Sequence, residues 1–309
     1  MDIFRAMSWL IVSSLVLCAN AKVTVDQCVR TNQEYLRLDV KEPLLIAHCE
    51  SVLAVVNTRE AWGLADLLIL NDIVPFTVLT EPAFLEVGRR DKMIDFVANA
   101  ILHCSTVACI SEVLNREIWN IRSEGPIVFK PAPPNALSSY GVEETWDRGH
   151  GSCTAMAVFL ITALRFAGVP ARLTGVAHWN LGPSLCPDGD ASAACGNHNW
   201  VEVYDPSSLG WSFIDQRRPD EIVLPLNQSW FYPDWSDHNA LPNSLNHSIH
   251  AASFLPLDAL LDSEYPRGAL VEGGTWFPMV WDWADHEVAS WDVSAAYKER
   301  SEGVEIRVT

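Results

Sequence analysis

Residues 149–172 read GHGSCTAMAVFLITALRFAGVPAR, and this run decides the fold. From Cys153 to Ala167 it contains no proline or glycine and is rich in Ala, Leu, Met and Phe. Ser152 is placed to cap its start, and Gly168 followed by Pro170 to stop it. The stretch predicts a buried helix with Cys153 at its N-terminus. There the positive end of the helix dipole and the free N–H groups favour the thiolate, which is the nucleophilic form of cysteine. Gly149 and Gly151 would let the backbone come close to a substrate, and the Cys153 N–H would point at a developing oxyanion.

Working outward, Ala171 to Ala177 reads as a strand and Gly182 to Gly196 as a turn-rich insert. NHNWVEVYD at 197–205, the loop PSSLG at 206–210 and WSFID at 211–215 then read as a hairpin. If the loop pairs Tyr204 with Trp211, Glu202 faces Phe213 and Trp200 faces Asp215. His198 is then the diagonal neighbour of Asp215 on the same face, about 7–8 Å away between backbones and within side-chain reach. A slip of one residue would turn Asp215 to the other face. An imidazole held by a carboxylate near a thiolate is the arrangement for acyl transfer, with Cys153 as nucleophile, His198 as base and Asp215 as its orienter. By the same alternation Trp200 and Trp211 are core residues, and Glu202 is expected to satisfy a hydrogen bond inside the sheet.

The chain has 309 residues and a net charge of −18. That charge argues against nucleic acid or an anionic membrane as partner. Residues 1–21 read as a signal peptide, with Arg5, an apolar run from Trp9 to Cys18 and the small residues of Ala19-Asn20-Ala21. No later stretch is apolar for long enough to span a bilayer. A secreted, extracellular or lumenal protein is expected, with glycosylation candidates at Asn227 (Asn-Gln-Ser) and Asn246 (Asn-His-Ser).

Removing Cys18 with the signal leaves an odd set: Cys28, Cys49, Cys104, Cys109, Cys153, Cys186 and Cys195. In an oxidising compartment six are expected to pair and one to stay free. Local spacing suggests Cys28–Cys49, Cys104–Cys109 and Cys186–Cys195, among the fifteen connectivities six cysteines allow. Cys153 has no close partner. His178, Cys186, Cys195 and His198 are also competent zinc ligands within a short span, but secretion favours a disulfide for the two cysteines, and no metal or other cofactor is expected.

Along the chain, residues 22–135 read as a helical N-terminal region, with apolar residues at helical spacing such as Met93, Phe96, Val97, Ala100 and Ile101. It ends in the Pro-rich connector Lys130–Asn135. Residues 136–225 form the catalytic core. Residues 226–309 are a Trp-rich, strand-containing extension, with strand-like pieces at 277–281 and 288–293. Two residues near the nucleophile carry open roles. Trp146 could line the cleft or donate to an oxyanion, but packing is favoured; His150 could be a second base, but a solvated role is favoured.

GSCTAMAVFLITALRFAGVPARLTG followed by NHNWVEVYDPSSLGWSFID resembles the transglutaminase-like core. The shared elements are Gly-x-Cys, a helix ending in Ala-Gly-Val-Pro-Ala-Arg, then His-x-Trp-x-Glu-Val-Tyr, and a Trp strand ending in Asp. The upstream stretch ILNDIVPFTVLTEP at 69–82 resembles part of a secreted, bacterial-type subgroup with this core. The resemblance implies a papain-like α+β fold, with a nucleophile helix packed on an antiparallel sheet and the same three roles for Cys153, His198 and Asp215. The Gly182–Gly196 insert lengthens the loop before the histidine beyond the short family form. Asp188-Gly189-Asp190 is far from a calcium loop. The implied activity is a cysteine-dependent acyl transferase or amidohydrolase acting on a protein or peptide substrate through a thioester. A cysteine peptidase or an amidase resembling peptide N-glycanases is the alternative reaction, and a silent binding module using the Trp-rich tail is the alternative class.

Overall fold

The computed structural model describes residues 23–36, 40–131, 141–180, 196–216, 222–237, 247–261, 265, 275–277 and 288–305. The signal segment, Asn246, the Asp188–Asp190 run and the Cys186 and Cys195 pair lie outside them.

Five helices open the described chain: α1 (Val25–Tyr35), α2 (Glu42–Thr58), α3 (Asp66–Asp72), α4 (Val87–Ala100) and α5 (Val107–Glu117). Their starts are set locally. Thr24 and Gln27 cap α1 reciprocally, the Glu86 carboxylate accepts the Gly88 and Arg89 N–H groups at the head of α4, and Thr106 accepts the Cys109 N–H at α5. Two disulfides join Cys28 to Cys49 and Cys104 to Cys109, and Cys153 is free.

The remaining elements are β1 (Val128–Phe129), α6 (Val142–Arg148), β2 (His150–Gly151), α7 (Cys153–Phe166), β3 (Ala171–Val176), β4 (His198–Asp205), β5 (Gly210–Ile214), α8 (Asp234–Asp237), β6 (His250–Ser253), α9 (Leu257–Leu261), β7 (Thr275–Trp276), β8 (Ala289–Asp292) and α10 (Ser294–Glu305). Ser152 caps α7 by accepting the Ala155 N–H, and Gly168 follows the helix in the left-handed conformation. The β4–β5 register pairs Tyr204 with Trp211 and Glu202 with Phe213, as the hairpin reading required.

A six-stranded antiparallel sheet runs β5-β4-β3-β6-β8-β7. The extension after residue 225 therefore supplies three of its strands and shares a sheet with the hairpin. Of the two strand-like pieces read there, 288–293 contains β8, whereas β7 precedes 277 and residues 278–281 lie outside the described set. Every residue of β3 is buried, because the sheet is covered on both faces. On one side, α7 packs on β3 and β4 beneath helices α2, α4 and α5, with Val201 and Val203 pointing into that core. On the other side, Trp200, Tyr204 and Trp211 join Phe231, Ile249, Trp291 and Tyr297 in an aromatic layer.

The stretch 69–82 links these layers. Asn71 accepts from the Ser253 hydroxyl and from the Phe254 and Leu255 N–H groups, holding the end of β6. Arg165, in the last turn of α7, donates to the Thr77 and Ala171 carbonyls, and the Glu81 carboxylate accepts the Val78 and Leu79 N–H groups. All of these groups but the Phe254 N–H are buried, so each of them leaves a desolvated orphan if its partner is removed.

Candidate active site

The two glycines before Cys153 are packed against the protein's own side chains. Gly149 ends α6 with φ +66°, and a Cβ there would lie 1.9 Å from the Arg122 guanidinium; at Gly151 it would lie 2.7 Å from the Ala155 Cβ. A side chain at either position would therefore meet Arg122 or the first turn of α7.

Cys153 is half-buried at that first turn. The thiol faces the His198 imidazole, and the backbone N–H groups of Asn199 and Thr154 lie on the sulfur's side. Burial pushes the thiol up, but the hydrogen bond and charge of His198 together with those two N–H groups outweigh it and hold the thiol below its ordinary range. His198 stands at the start of β4, and its Nε2 lies 2.8 Å from Asp215 Oδ1. Asp215 thus takes Nε2 and leaves Nδ1 for the sulfur. Burial alone would lower the His198 pKa; the charge and hydrogen bond of Asp215, then those of Cys153, raise it to about 10. Both shifts favour a thiolate beside an imidazolium at neutral pH.

Asp215 is gripped at every oxygen. Oδ1 meets His198, Oδ2 accepts from Ser229 Oγ at 3.1 Å, and its backbone carbonyl accepts from Asn115 Nδ2 on α5 at 2.7 Å. The Trp119 indole N–H donates to the Asn115 carbonyl and fixes that contact in turn. Asn227, read as a glycan acceptor, sits in the same brace. Its Oδ1 accepts the Phe213 N–H, its Nδ2 donates to Ser212 Oγ, and its backbone N–H donates to the Phe213 carbonyl. The tripeptide Asn227-Gln228-Ser229 therefore extends the edge of β5 and presents Ser229 to Asp215.

Aromatic rings surround the imidazole. Trp200 stacks on it at 5.8 Å, Phe231 meets it at 5.6 Å, and Trp230 lies 5.2 Å away while remaining 55% exposed. Trp230 is backed by Trp179 and Trp235. Glu202 faces the same side two positions beyond Trp200. It pairs with Arg172 at 2.7 Å and accepts from Tyr297, as expected of a satisfied sheet carboxylate.

The other candidates lie elsewhere. Trp146 is buried between α6 and α7 against Phe159, with Arg89 and Lys92 over its ring. His150 is half-buried on β2, and burial, then the charges of Lys130 and Arg148, hold its pKa below the ordinary range. No group of metal-ligating side chains is assembled among the described residues. Asn115, Asn199, Gln216, Ser229 and Trp230 were not singled out from sequence. Asn199 and Gln216 directly follow His198 and Asp215, the one local signal that could have found them.

A helix that opens on a cysteine, set against an antiparallel sheet with an imidazole and a carboxylate in series beside it, is an arrangement found in cysteine-type enzymes. Residues 113–216, from α5 to Gln216, match the model of the transglutaminase-like superfamily. Among solved structures, the chain is similar to a candidate cysteine protease from Cytophaga hutchinsonii at 17% identity and TM-score 0.29, over 44% of this chain and 41% of that one. It is also similar to the periplasmic domain of TgpA from Pseudomonas aeruginosa bound to ethylmercury, at 24% identity and TM-score 0.30, over 47% of this chain and 50% of that one. The chain spans half or less of the length of either structure. No curated protein matches it.

Proposed function

We propose that the protein is a secreted, cysteine-dependent acyl transferase or amidohydrolase that acts on a carboxamide or peptide bond of a protein or peptide. The observation that carries this reading is the series Cys153–His198–Asp215, in which His198 favours the Cys153 thiolate and Asp215 favours the His198 imidazolium. The Cys153 thiolate attacks the carbonyl carbon, forming the C–S bond and an oxyanion. The His198 imidazolium then gives its proton to the departing nitrogen as the C–N bond breaks, leaving a thioester. In the second half, neutral His198 takes a proton from an incoming amine or water as that nucleophile attacks, and the C–S bond breaks to regenerate the thiolate. Trp230 forms an aromatic wall on the base side, where the leaving group departs and the acceptor arrives.

The two disulfides support secretion, and among the described residues no helix is long and apolar enough to cross a membrane. The test begins with iodoacetamide. Cys153 should alkylate far faster at pH 6 than an ordinary thiol, and Cys153→Ala should lose both labelling and turnover with the fold intact. A γ-glutamyl donor peptide incubated with and without a primary amine, then weighed, separates the outcomes. A cross-linked product identifies a transferase, and deamidation or chain cleavage a hydrolase. An ordinary alkylation rate at Cys153 would overturn the reading.

A further inference from the structure

Thr154, Asn199 and Gln216 each follow one member of the Cys153–His198–Asp215 series, and all three are buried. Their side chains bond to one another's elements. Asn199 Nδ2 donates to Thr154 Oγ1 at 2.6 Å. The single amide nitrogen of Gln216 donates to the Asn199 carbonyl at 2.7 Å and to the Cys153 carbonyl at 3.1 Å. These bonds close a ring that ties the first turn of α7 to the start of β4 and to the chain leaving β5. Gly175, opposite Asn199 in the β3–β4 register, makes room for it: a Cβ there would lie 1.9 Å from Asn199 Oδ1 and 2.9 Å from the His198 carbonyl.

The ring bears on the sulfur directly. The two backbone N–H groups that lower the Cys153 thiol belong to Thr154 and Asn199, both ring members. Moving either element moves a donor off the thiolate. Stability is a poor account of the ring, because buried polar clusters kept for stability are expected to be fully satisfied. Here, among the described residues, neither Asn199 Oδ1 nor Gln216 Oε1 meets a hydrogen-bond partner. We propose that Gln216 is a positioning residue, which closes this ring to hold the Thr154 and Asn199 N–H groups, and the imidazole beside them, in register with the nucleophile. The proposal rests on the reading of Cys153 as nucleophile.

The test is the rate of Cys153 alkylation by iodoacetamide across pH 5–9, with the labelled peptide mapped, in wild type, Gln216→Met, Thr154→Val and the double variant. Among the described residues, the charged groups facing the thiol are His198 on β4 and, through it, Asp215 just after β5, and neither is altered. Methionine keeps the length of glutamine but donates nothing; valine keeps the shape of threonine but accepts nothing. Each single variant should slow alkylation at pH 6 by roughly ten-fold, since displacements of order 1 Å at a reacting group can cost about 100-fold. The acid limb of the profile should move up, while the far-UV circular dichroism stays that of wild type. The double variant should be little worse than either single one, because one ring is broken once. If Gln216→Met fails to fold, Thr154→Val carries the test by itself. A fast wild type with both single variants unchanged in rate and profile overturns the ring; a slow wild type overturns the nucleophile and the ring with it.

Discussion

The Trp200 indole N–H donates to the Tyr297 hydroxyl at 2.6 Å, and that hydroxyl donates to Glu202 Oε1 at 3.0 Å. One side chain of α10 therefore satisfies two buried groups on the strand that carries His198. Trp200 also stacks on the imidazole, so the last described helix acts on the site through a single intermediate ring.

Tyr297→Phe removes both bonds and keeps the ring. A buried indole N–H loses its acceptor, while Glu202 retains Arg172. A loss of about 1–3 kcal/mol in unfolding free energy is expected from the stranded donor. Urea denaturation reads it, and no change in midpoint would show that water replaces the hydroxyl. The alkylation rate of Cys153 should fall less than the stability does, because the Trp200 ring stays packed against Phe231.

The Asn227-Gln228-Ser229 tripeptide should carry no glycan. Its asparagine amide is already bonded to Ser212 and Phe213 along β5, and its serine hydroxyl is bonded to Asp215. Peptide mapping of protein made in a glycosylating host decides the matter; occupancy at Asn227 would mean that the brace forms only after modification. Ser229→Ala, which also destroys the sequon, should lower turnover by a few-fold, because it unties one oxygen of Asp215.

The helix from Cys153 and the hairpin at 198–214 were legible because their information is local: a cap, a stop and an alternation across a short loop. The registry of Tyr204 with Trp211 then brought His198 to Asp215 by geometry. The braces on Asp215 were not legible. Asn115 lies one hundred positions upstream, and nothing near it in sequence marks it. The same holds for the sheet as a whole, since β6, β7 and β8 are strands of two to four residues, too short for alternation to declare a face. At Gly149 and Gly151 the glycines signal close approach in the sequence, and in the structure the neighbours are Arg122 and Ala155.

Acid should destabilise the fold through His48. Its Nε2 lies 3.0 Å from the Val74 carbonyl and its Nδ1 accepts from Arg90, which is itself packed on Phe76. Burial, then the Arg90 charge, lowers its pKa to about 3. The unfolded chain takes up a proton near pH 6.5 that the folded one refuses until about pH 3, so stability falls as pH drops through that window. At about 1.4 kcal/mol for each pH unit, the accumulated loss is on the order of several kcal/mol. Asp72 works the other way, since burial raises its carboxyl to about 6 and its protonation relieves a penalty. His48→Gln keeps a donor for Val74 and an acceptor for Arg90 without the titration. The stability gap between wild type and this variant should therefore shift in the variant's favour from pH 6.5 to pH 4, with Asp72 cancelling. A gap independent of pH would place the acid limb elsewhere.

Asp215→Asn isolates the charge of the third member from its shape. In wild type Oδ1 accepts from His198 and Oδ2 accepts from Ser229. An asparagine can keep both contacts, with its oxygen on the imidazole N–H and its nitrogen on the serine oxygen, because a hydroxyl can accept as well as donate. What is lost is the negative charge, the first of the two contributions of Asp215 that raise His198. The imidazole then deprotonates at lower pH, the Cys153 thiol loses the facing cation, and the acid limb of alkylation moves up while turnover falls by ten-fold or more. Stability gives an independent sign. A histidine raised to about 10 contributes stability that is fully present below pH 6.5 and is lost as pH climbs through 10. Wild type should therefore lose melting temperature between pH 7 and 10 more steeply than Asp215→Asn. Parallel slopes would show that the pair carries no charge in this range, and the thiolate would then have to rest on the N–H groups of Thr154 and Asn199 and the field of α7.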